Sequence, residues 1–492
     1  MAVKLIYKDI PQGITTDAEV STSGYSDFSA PDLLPLGAYT GAVATLEHNA
    51  WGLSSDYKTK GTQRFALWSE ALSNNEGVFD TPLIVTVDFS AQYTATGLTI
   101  LFSPDANEYS SKIAVIWYQG EEVKHSDYYY PTTGHFTLNQ VVEAFDRVVI
   151  AFYETSQPNR RLKIEQILFG VLREFSSKEL TSTSFIHEIS LISDTVPINV
   201  MDANIHSGTD AEFIFQKKQP VEAYNGDELI GVYYIESGER TGASTYSISC
   251  QDAIGLLEKD AVFPGKIWEE DTPVIDIINE VLGGTYTVEL DEGLSAMTLQ
   301  GAIRESTKRE ALQQIAFALG ACIDTSGSWN IKMFLPPKST GAEIPAEETY
   351  TGGAVSMQDA VTEVTVTGYK IYLDYAEEGD DYVEEKGRKF KAERTVATAR
   401  NPNVTVGMPE NKIVIDDCLL ISRGKAQEKA NALLSYFMRR NKYSFTHVLK
   451  GQKMADRAVA HLPWGGTVGG NITKMTIKVS GLTVSDTEFL TD

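Results

Sequence analysis

Cysteine, histidine, basic residues and long apolar runs are what this sequence has little of. Its 492 residues hold three cysteines, Cys250, Cys322 and Cys418, far apart in the chain. An odd, widely spaced set fits neither a disulfide framework nor a zinc site. Cys250 and Cys322 sit in alternating apolar runs and read as small core residues, so folding in a reducing cytoplasm is expected. None of the seven histidines pairs with another at i+4. The stretch HEISL begins like a zinc-protease motif, but its fifth residue is Leu191. It also alternates like a strand, whereas that motif needs a helix to bring both ligands to one face. There is no G-x-S-x-G elbow. The glycines of GGTVGG (465–470) precede no helix, so they read as turn glycines and not as a phosphate cradle. No apolar run approaches the ~20 residues of a membrane span, and MAVKLIYKDIPQG carries no signal-peptide core. The formal net charge is −25, from 67 acids against 42 bases. That balance argues against a groove that grips nucleic acid and against an anionic membrane surface as partner. It suits a soluble protein, or one past which another polyanion must move without sticking.

What is present is globular. Hydrophobic residues make up 42% and aromatics 10% of the chain, and the length predicts roughly three to four domains. Residues 1–60, rich in Ser, Thr, Gly and Pro, read as an extended N-terminal arm with Leu33, Leu34, Leu36 and Trp51 as docking anchors. From 61 to 170 every signal is strand: LIVTVDF (83–89), GLTILF (97–102), KIAVIWY (112–118) and DRVVIAFY (146–153). RRLKIEQILFG (160–170) closes the set, with Leu162, Ile164, Gln166 and Leu168 on one face. Short strands between turn residues predict a β-sandwich. A second strand set, 171–264, includes FIHEISLIS (185–193) and TYSISCQD, where Tyr246, Ile248 and Cys250 share a face and Asp252 is placed to cap a short helix.

From 265 to 337 the period changes to that of a small α/β domain. Thr272 and Pro273 mark a helix start, Val274, Ile277, Ile278 and Val281 its apolar face, and Gly283 its stop. Thr307 and Glu310 form a T-x-x-E capping box. Ala311, Leu312, Ile315, Ala316 and Leu319 then make one stripe, Gly320 ends the helix, and DTSGS turns a hairpin. Trp329, Ile331 and Met333 are predicted on one face of the return strand; Leu312, Ile315, Trp329 and Ile331 are the expected core of this domain. Residues 338–492 return to β, with one helix at 424–440. The acidic run Asp374–Glu385 matches no EF-hand loop and reads as a solvated hairpin.

Candidate binding chemistry is confined to aromatics. Tyr128, Tyr129 and Tyr130 cannot all face one side of a strand, so at least one is surface-exposed. With Trp117 they are candidate platforms for sugar rings. Carboxylates are abundant enough that a wall hydrolase is not excluded by counting them, and such an enzyme stays as a lesser alternative.

Two resemblances follow from these stretches. VTVDF, GLTILF, IAVIWYQGEEV, FDRVVIAFY and RRLKIEQILFG, in that order, resemble galactose-binding-like jelly rolls. That implies a β-sandwich, sugar binding in many members and a structural calcium in some. TYSISCQDAIGLLEKD, TPVIDIINEVLGG, STKREALQQIAFALGACIDTSGSWNIKMF and GKAQEKANALLSYFMRR followed by KYSFTHVLK resemble the central hub proteins of bacteriophage tail baseplates, over about two thirds of the chain. This implies a mainly β chain with an α+β unit: a jelly roll, then two β-barrel-like domains (171–264 and 338–492) flanking the small α/β domain. It also implies a non-enzymatic homotrimeric ring at the tail tip of the virion. The ring would be assembled in the bacterial host cytoplasm, adapting sixfold to threefold symmetry and passing DNA without binding it specifically. Expected partners are the chain's own copies, the distal tail protein and other tail-tip proteins. No cofactor is expected beyond the calcium some jelly rolls hold. Because the sequence stops at Asp492, close behind the second barrel, a fused lysin is not expected. The alternative is a tail protein that attaches to host cell-wall glycans through the jelly roll.

Overall fold

The computed structural model describes residues 3–11, 13–37, 39–41, 47, 63–102, 108–206, 215–259, 262–283, 286–405, 407–462, 464–480 and 482–491. The chain is mainly β, in several sheets. It divides into two compact units, Ile6–Glu174 and Phe175–Asp492, the latter taking in Met1–Leu5.

The first unit is built on β1 (Glu19–Thr22), β2 (Leu67–Trp68), β3 (Val78–Phe102), β4 (Ser110–Gln119), β5 (Glu122–Tyr129), β6 (His135–Thr155) and β7 (Lys163–Leu168). Their order is β2-β7-β3-β6-β4-β5, with β1 added on β3. LIVTVDF and GLTILF, read separately in the sequence, are the two ends of the single long strand β3. Its ladder with β6 is regular from Leu83↔Phe152 to Asp88↔Arg147 and again from Gly97↔Asn139 to Leu101↔His135, and shifts register in between. Ala144 lies in that gap with φ 56. Such bulges bend a strand pair, and both ends deliver side chains (Val85, Val87, Leu98, Ile100) to one core. A register shift between Ile164 and Gln166 likewise corrects the face expected on β7. Leu162, Ile164, Ile167 and Phe169 join the core, while Gln166 donates from its amide to Pro35 O at 3.3 Å. Of the expected anchors, Leu34 is buried, Leu33 packs against the same core and Leu36 is exposed; Trp51 lies outside the described residues.

The second unit opens with β8 (Leu180–Glu188), β9 (Val200–His206), β10 (Pro220–Asn225), β11 (Glu228–Arg240) and β12 (Thr245–Gln251). Next come α1 (Ala253–Lys259), β13 (Lys266–Pro273), α2 (Val274–Leu282), β14 (Val288–Leu290), β15 (Thr298–Ile303), α3 (Lys308–Leu319), β16 (Cys322–Asp324) and β17 (Ile331–Phe334). β18 (Ala354–Met357), β19 (Glu363–Tyr375), β20 (Tyr382–Glu385), β21 (Arg388–Arg400), β22 (Lys412–Ile415) and α4 (Ala426–Phe437) follow. β23 (Asn441–Val448), β24 (Arg457–His461), β25 (Thr467–Ser480) and β26 (Leu482–Thr491) end the chain.

Within its largest sheet these strands run β10-β11-β12-β9-β8-β25-β26-β23-β18, with β24 on β25. The junction is β8 against β25, antiparallel from Ser184↔Lys478 to Glu188↔Lys474. Strands from before the α/β segment are thus hydrogen-bonded to strands from after it. β20-β21-β19-β22 form a separate sheet. There the acidic run makes the expected hairpin, closing on Glu385↔Arg388 through Lys386 (φ 49) and Gly387 (φ 75), the left-handed pair of a two-residue turn.

The α/β segment folds largely as its sequence dictates. The Thr307 hydroxyl accepts from Glu310 N at 3.1 Å and the Glu310 carboxylate accepts from Thr307 N at 3.0 Å, closing the capping box of α3. Gly320 stops the helix at φ 70. Ala311, Leu312, Ile315, Ala316 and Phe317 are buried, each large one contributing roughly 1.5–3 kcal/mol of transfer free energy. α2 begins one residue later than expected: Pro273 is its N-cap and Thr272 belongs to β13. Ile331 and Met333 are buried, but Trp329 is 54% exposed and is not core. The reason is local. Asn330 N donates to Ser328 Oγ at 3.0 Å, which bends the backbone ahead of β17, so the alternation does not extend back to Trp329. The core is continuous from α2 and α3 through Val364 and Val366 of β19 to Ala430 and Leu433 of α4.

Candidate functional site

The aromatic candidates lie on the β4–β5 hairpin, and the structure separates them. Ile113, Val115 and Trp117 alternate inward along β4. Trp117 is fully buried, edge-on to Phe145 at 4.6 Å. It offers no face to a sugar, which corrects its place among the candidates. Tyr129 is half-buried: its hydroxyl pairs with His125 Nε2 at 3.2 Å, its ring tilts against Phe136, and burial raises its pKa. Tyr128 and Tyr130, two residues apart, are 52% and 66% exposed. The Tyr128 ring lies 5.8 Å from that of Tyr153. The Lys112 ammonium sits 5.8 and 5.6 Å from the two ring centroids, within cation–π range. The result is a shelf of exposed Tyr128 beside half-buried Tyr153 with a cation already over both rings, and Tyr130 exposed two residues on.

On the metal question, two buried acids of the first unit, Glu47 and Glu108, meet a lysine. The Lys163 ammonium is 2.8 Å from Glu47 and 2.5 Å from Glu108, and Arg160 Nε is 2.8 Å from Glu108. Among the described residues no group of three or more His, Cys, Asp or Glu side chains is arranged to hold a metal ion.

Sequence reasoning missed a cavity of about 540 Å³ in the second unit. Three turns converge on it: Asn225–Ile230, Asp324–Gly327 and Leu449–Asp456, over a floor that includes Phe334, Met475 and Ile477. His187 and Asp324 line it and are almost fully buried. Asp324 accepts from Ser326 N (2.9 Å) and Ser326 Oγ (2.7 Å) and pairs with Lys332 at 3.3 Å. His187 Nε2 is 2.5 Å from the Tyr233 hydroxyl. Burial holds His187 down at about 4 and raises Tyr233 well above its ordinary range, so both are neutral near pH 7. The imidazole is the hydrogen-bond partner of the Tyr233 hydroxyl among the described residues, so we assign Tyr233 as donor to Nε2 and place the imidazole proton on Nδ1.

Behind this wall Asp252 caps α1, accepting from Gly255 N at 3.2 Å, and takes a second bond from Thr325 Oγ1 at 2.7 Å. Thr325 Oγ1 in turn accepts from Asn199 Nδ2 at 2.9 Å. Burial pushes Asp252 up to about 6. Around the cavity, then, His187 bonds Tyr233, and the Ser326 and Thr325 hydroxyls bond the carboxylates of Asp324 and Asp252. The local signals were present, a His inside an alternating strand and an acid opening the DTSGS turn, but only tertiary structure brings residues 187, 233, 252 and 324 together.

Neither a protein-family model nor a curated protein matches the sequence. Solved structures of similar fold exist at low identity. A tail protein from Neisseria meningitidis MC58 is 13% identical, over 65% of this chain and 94% of that one, with a TM-score of 0.49. A 43 kDa tail protein of prophage MuSo2 from Shewanella oneidensis is 10% identical, over 65% and 96%, with a TM-score of 0.46. The prophage tail protein gp18 from Listeria monocytogenes EGD-e is 9% identical, over 64% and 91%, with a TM-score of 0.42. No helix among the described residues is long and apolar enough to cross a membrane.

Proposed function

We propose that this chain is a structural, non-enzymatic protein of a phage-type tail: the hub of the tail tip, three copies of which form a ring around the path of the DNA. The observation that carries the reading is the pairing of β8 with β25. It joins the strands before the α/β segment to those after it in one sheet, and in this reading the two β regions are adjoining parts of one ring wall. In this reading each β region supplies one barrel-like element, so three copies place six in the ring, which is how a trimer can meet a sixfold tube. The net charge of −25 suits a channel that does not hold DNA. The partners in this reading are further copies of the chain, the distal tail protein and other tail-tip proteins, and the location is the virion. Native mass spectrometry together with immunogold labelling of isolated tails tests it. A trimer mass with label at the tail tip is the expected result; a chain that is monomeric alone and missing from tails overturns it.

A second reading, attachment to host wall glycans, is favoured by the exposure of Tyr128 and Tyr130. A glycan array with the full chain and its Tyr128→Ala, Tyr130→Ala double variant decides it. Loss of a wild-type signal in the variant supports the shelf as the site, and an array on which the wild type is silent rejects it.

A further inference from the structure

One end of the largest sheet is a strand over which no described element of the second unit pairs further. Every residue from Tyr350 to Asp359 is exposed, yet Ala354–Met357 is held as strand β18, among the described residues by β23 alone. Both of its faces are open: Val355 is 56% and Met357 69% exposed, and their neighbours Ala354 and Ser356 are exposed as well. Tyr350 and Trp464 add exposed rings near it, with the Trp464 ring edge close to Gly353.

The direction of the free backbone groups follows from the ladder. Gln358 N donates to Arg440 O at 2.8 Å, and β18 pairs antiparallel with Ser356↔Lys442 and Ala354↔Ser444. Hydrogen-bonded pairs alternate along such a ladder, so Ala354 and Ser356 bond inward. Val355 and Met357 therefore present N–H and C=O outward. Sheet edges are normally protected by charge, proline or a bulge. Here Tyr350–Gln358, YTGGAVSMQ, contains no charged residue, in a chain of net charge −25.

We propose that β18 is the assembly edge of this protein, at which a strand of a second copy of the same chain continues the sheet. This rests on the reading of the chain as a ring-forming hub. The occupant follows from charge. Two copies that each carry −25 repel one another over most of their surface, and this uncharged apolar edge is a place where they meet without opposing carboxylates. Main-chain bonds from Val355 and Met357 supply the pairing, and their side chains, with Tyr350 and Trp464, supply the apolar contact.

The test uses the full chain. Val355→Pro deletes an outward N–H while leaving every bond to β23 in place, so the variant folds. Met357→Lys puts a charge on the edge. Native mass spectrometry over a dilution series is expected to show association weakened at least about tenfold in each, and hydrogen exchange at Val355 and Met357 to be slow only in the assembled wild type. A wild type that assembles, with both variants assembling equally well, overturns the edge and leaves the hub reading standing. A wild type that stays monomeric throughout, with fast exchange at both amides, overturns both. A wild type that is monomeric alone but protected at these amides within tails shows a different tail protein on the edge and also overturns the proposal.

Discussion

His187 and Asp252 are both deeply buried in the second unit, and burial moves them in opposite senses on the pH axis. His187 falls from 6.5 to about 4, and Asp252 rises from 3.8 to about 6. Between pH 4 and 6.5 the unfolded chain protonates His187 and the folded one does not. Folded stability therefore rises with pH through that window. Between pH 3.8 and 6 the folded chain holds a proton on Asp252 that the unfolded chain releases, so stability falls with pH there. At about 1.4 kcal/mol per unit, each contribution amounts to roughly 3 kcal/mol. They nearly cancel in the wild type, and each is uncovered by removing the other.

Asp252→Asn keeps an acceptor for Gly255 N, and the Thr325 hydroxyl can rotate to meet the new amide. Relative to wild type, this variant should gain roughly 3 kcal/mol more stability between pH 4 and 6, because the opposing Asp252 contribution is gone and that of His187 is uncovered. His187→Gln keeps a group at the Nε2 position for Tyr233. Relative to wild type it should lose roughly 3 kcal/mol over pH 4 to 6, because the His187 contribution is gone and that of Asp252 is uncovered. Other shifted groups of this unit, such as His447 and Asp486, are common to all three proteins and drop out of the differences. A chain of two units need not unfold in one step, so the readout is hydrogen-exchange protection of peptides within β8 and β12, corrected for intrinsic exchange. Variant and wild-type profiles running parallel from pH 4 to 6.5 would refute the argument, because burial would then not be setting these two charges.

Three further outcomes follow from packing and capping. Ile315→Asp places an unpaired charge in the core shared by α2, α3 and α4, at a cost above about 4 kcal/mol; limited proteolysis should find the second unit digested and Ile6–Glu174 protected. Thr307→Ala removes one side of the capping box and should lower stability by about 1 kcal/mol, read as faster exchange in the first turn of α3 with the rest of the unit unchanged. Lys163→Met leaves Glu47 and Glu108 buried without their shared cation, and should destabilise the first unit by about 3–5 kcal/mol. Tryptophan fluorescence can follow that loss, because the Lys163 ammonium lies 4.9 Å from the Trp68 ring.

The parts legible in the sequence were those fixed by a few adjacent residues. α3 is an example: Thr307, Glu310, the stripe through Ile315 and Gly320 each carry their own physical instruction, and the structure follows all four. The acidic hairpin is another, since Lys386-Gly387 sets its turn without help from elsewhere. Errors came where one residue too many or too few changed a face. The bulge at Ile164–Gln166 exchanged Gln166 for Ile167 in the core. The bend at Ser328–Asn330 turned Trp329 outward. Trp117 was named for its ring chemistry, although its own strand alternation, shared with Ile113 and Val115, already pointed it inward. A period of two residues identifies a strand well and its exposed face poorly, because a single irregularity reverses every later position.

The same limit explains why the cavity and the open edge were invisible beforehand. His187, Tyr233 and Asp324 are far apart in sequence and meet only once β8, β11 and β16 are placed; no local pattern encodes a contact of that kind. The YTGGAVSMQ stretch holds two adjacent glycines, a turn signal and not a strand signal. What the structure adds is that Ala354–Met357 is held as a strand although every residue from Tyr350 to Asp359 is exposed. A strand that gains no burial from its own chain has only β23 to hold it. That mismatch between order and exposure is the physical reason to look for its stabilising partner outside the molecule.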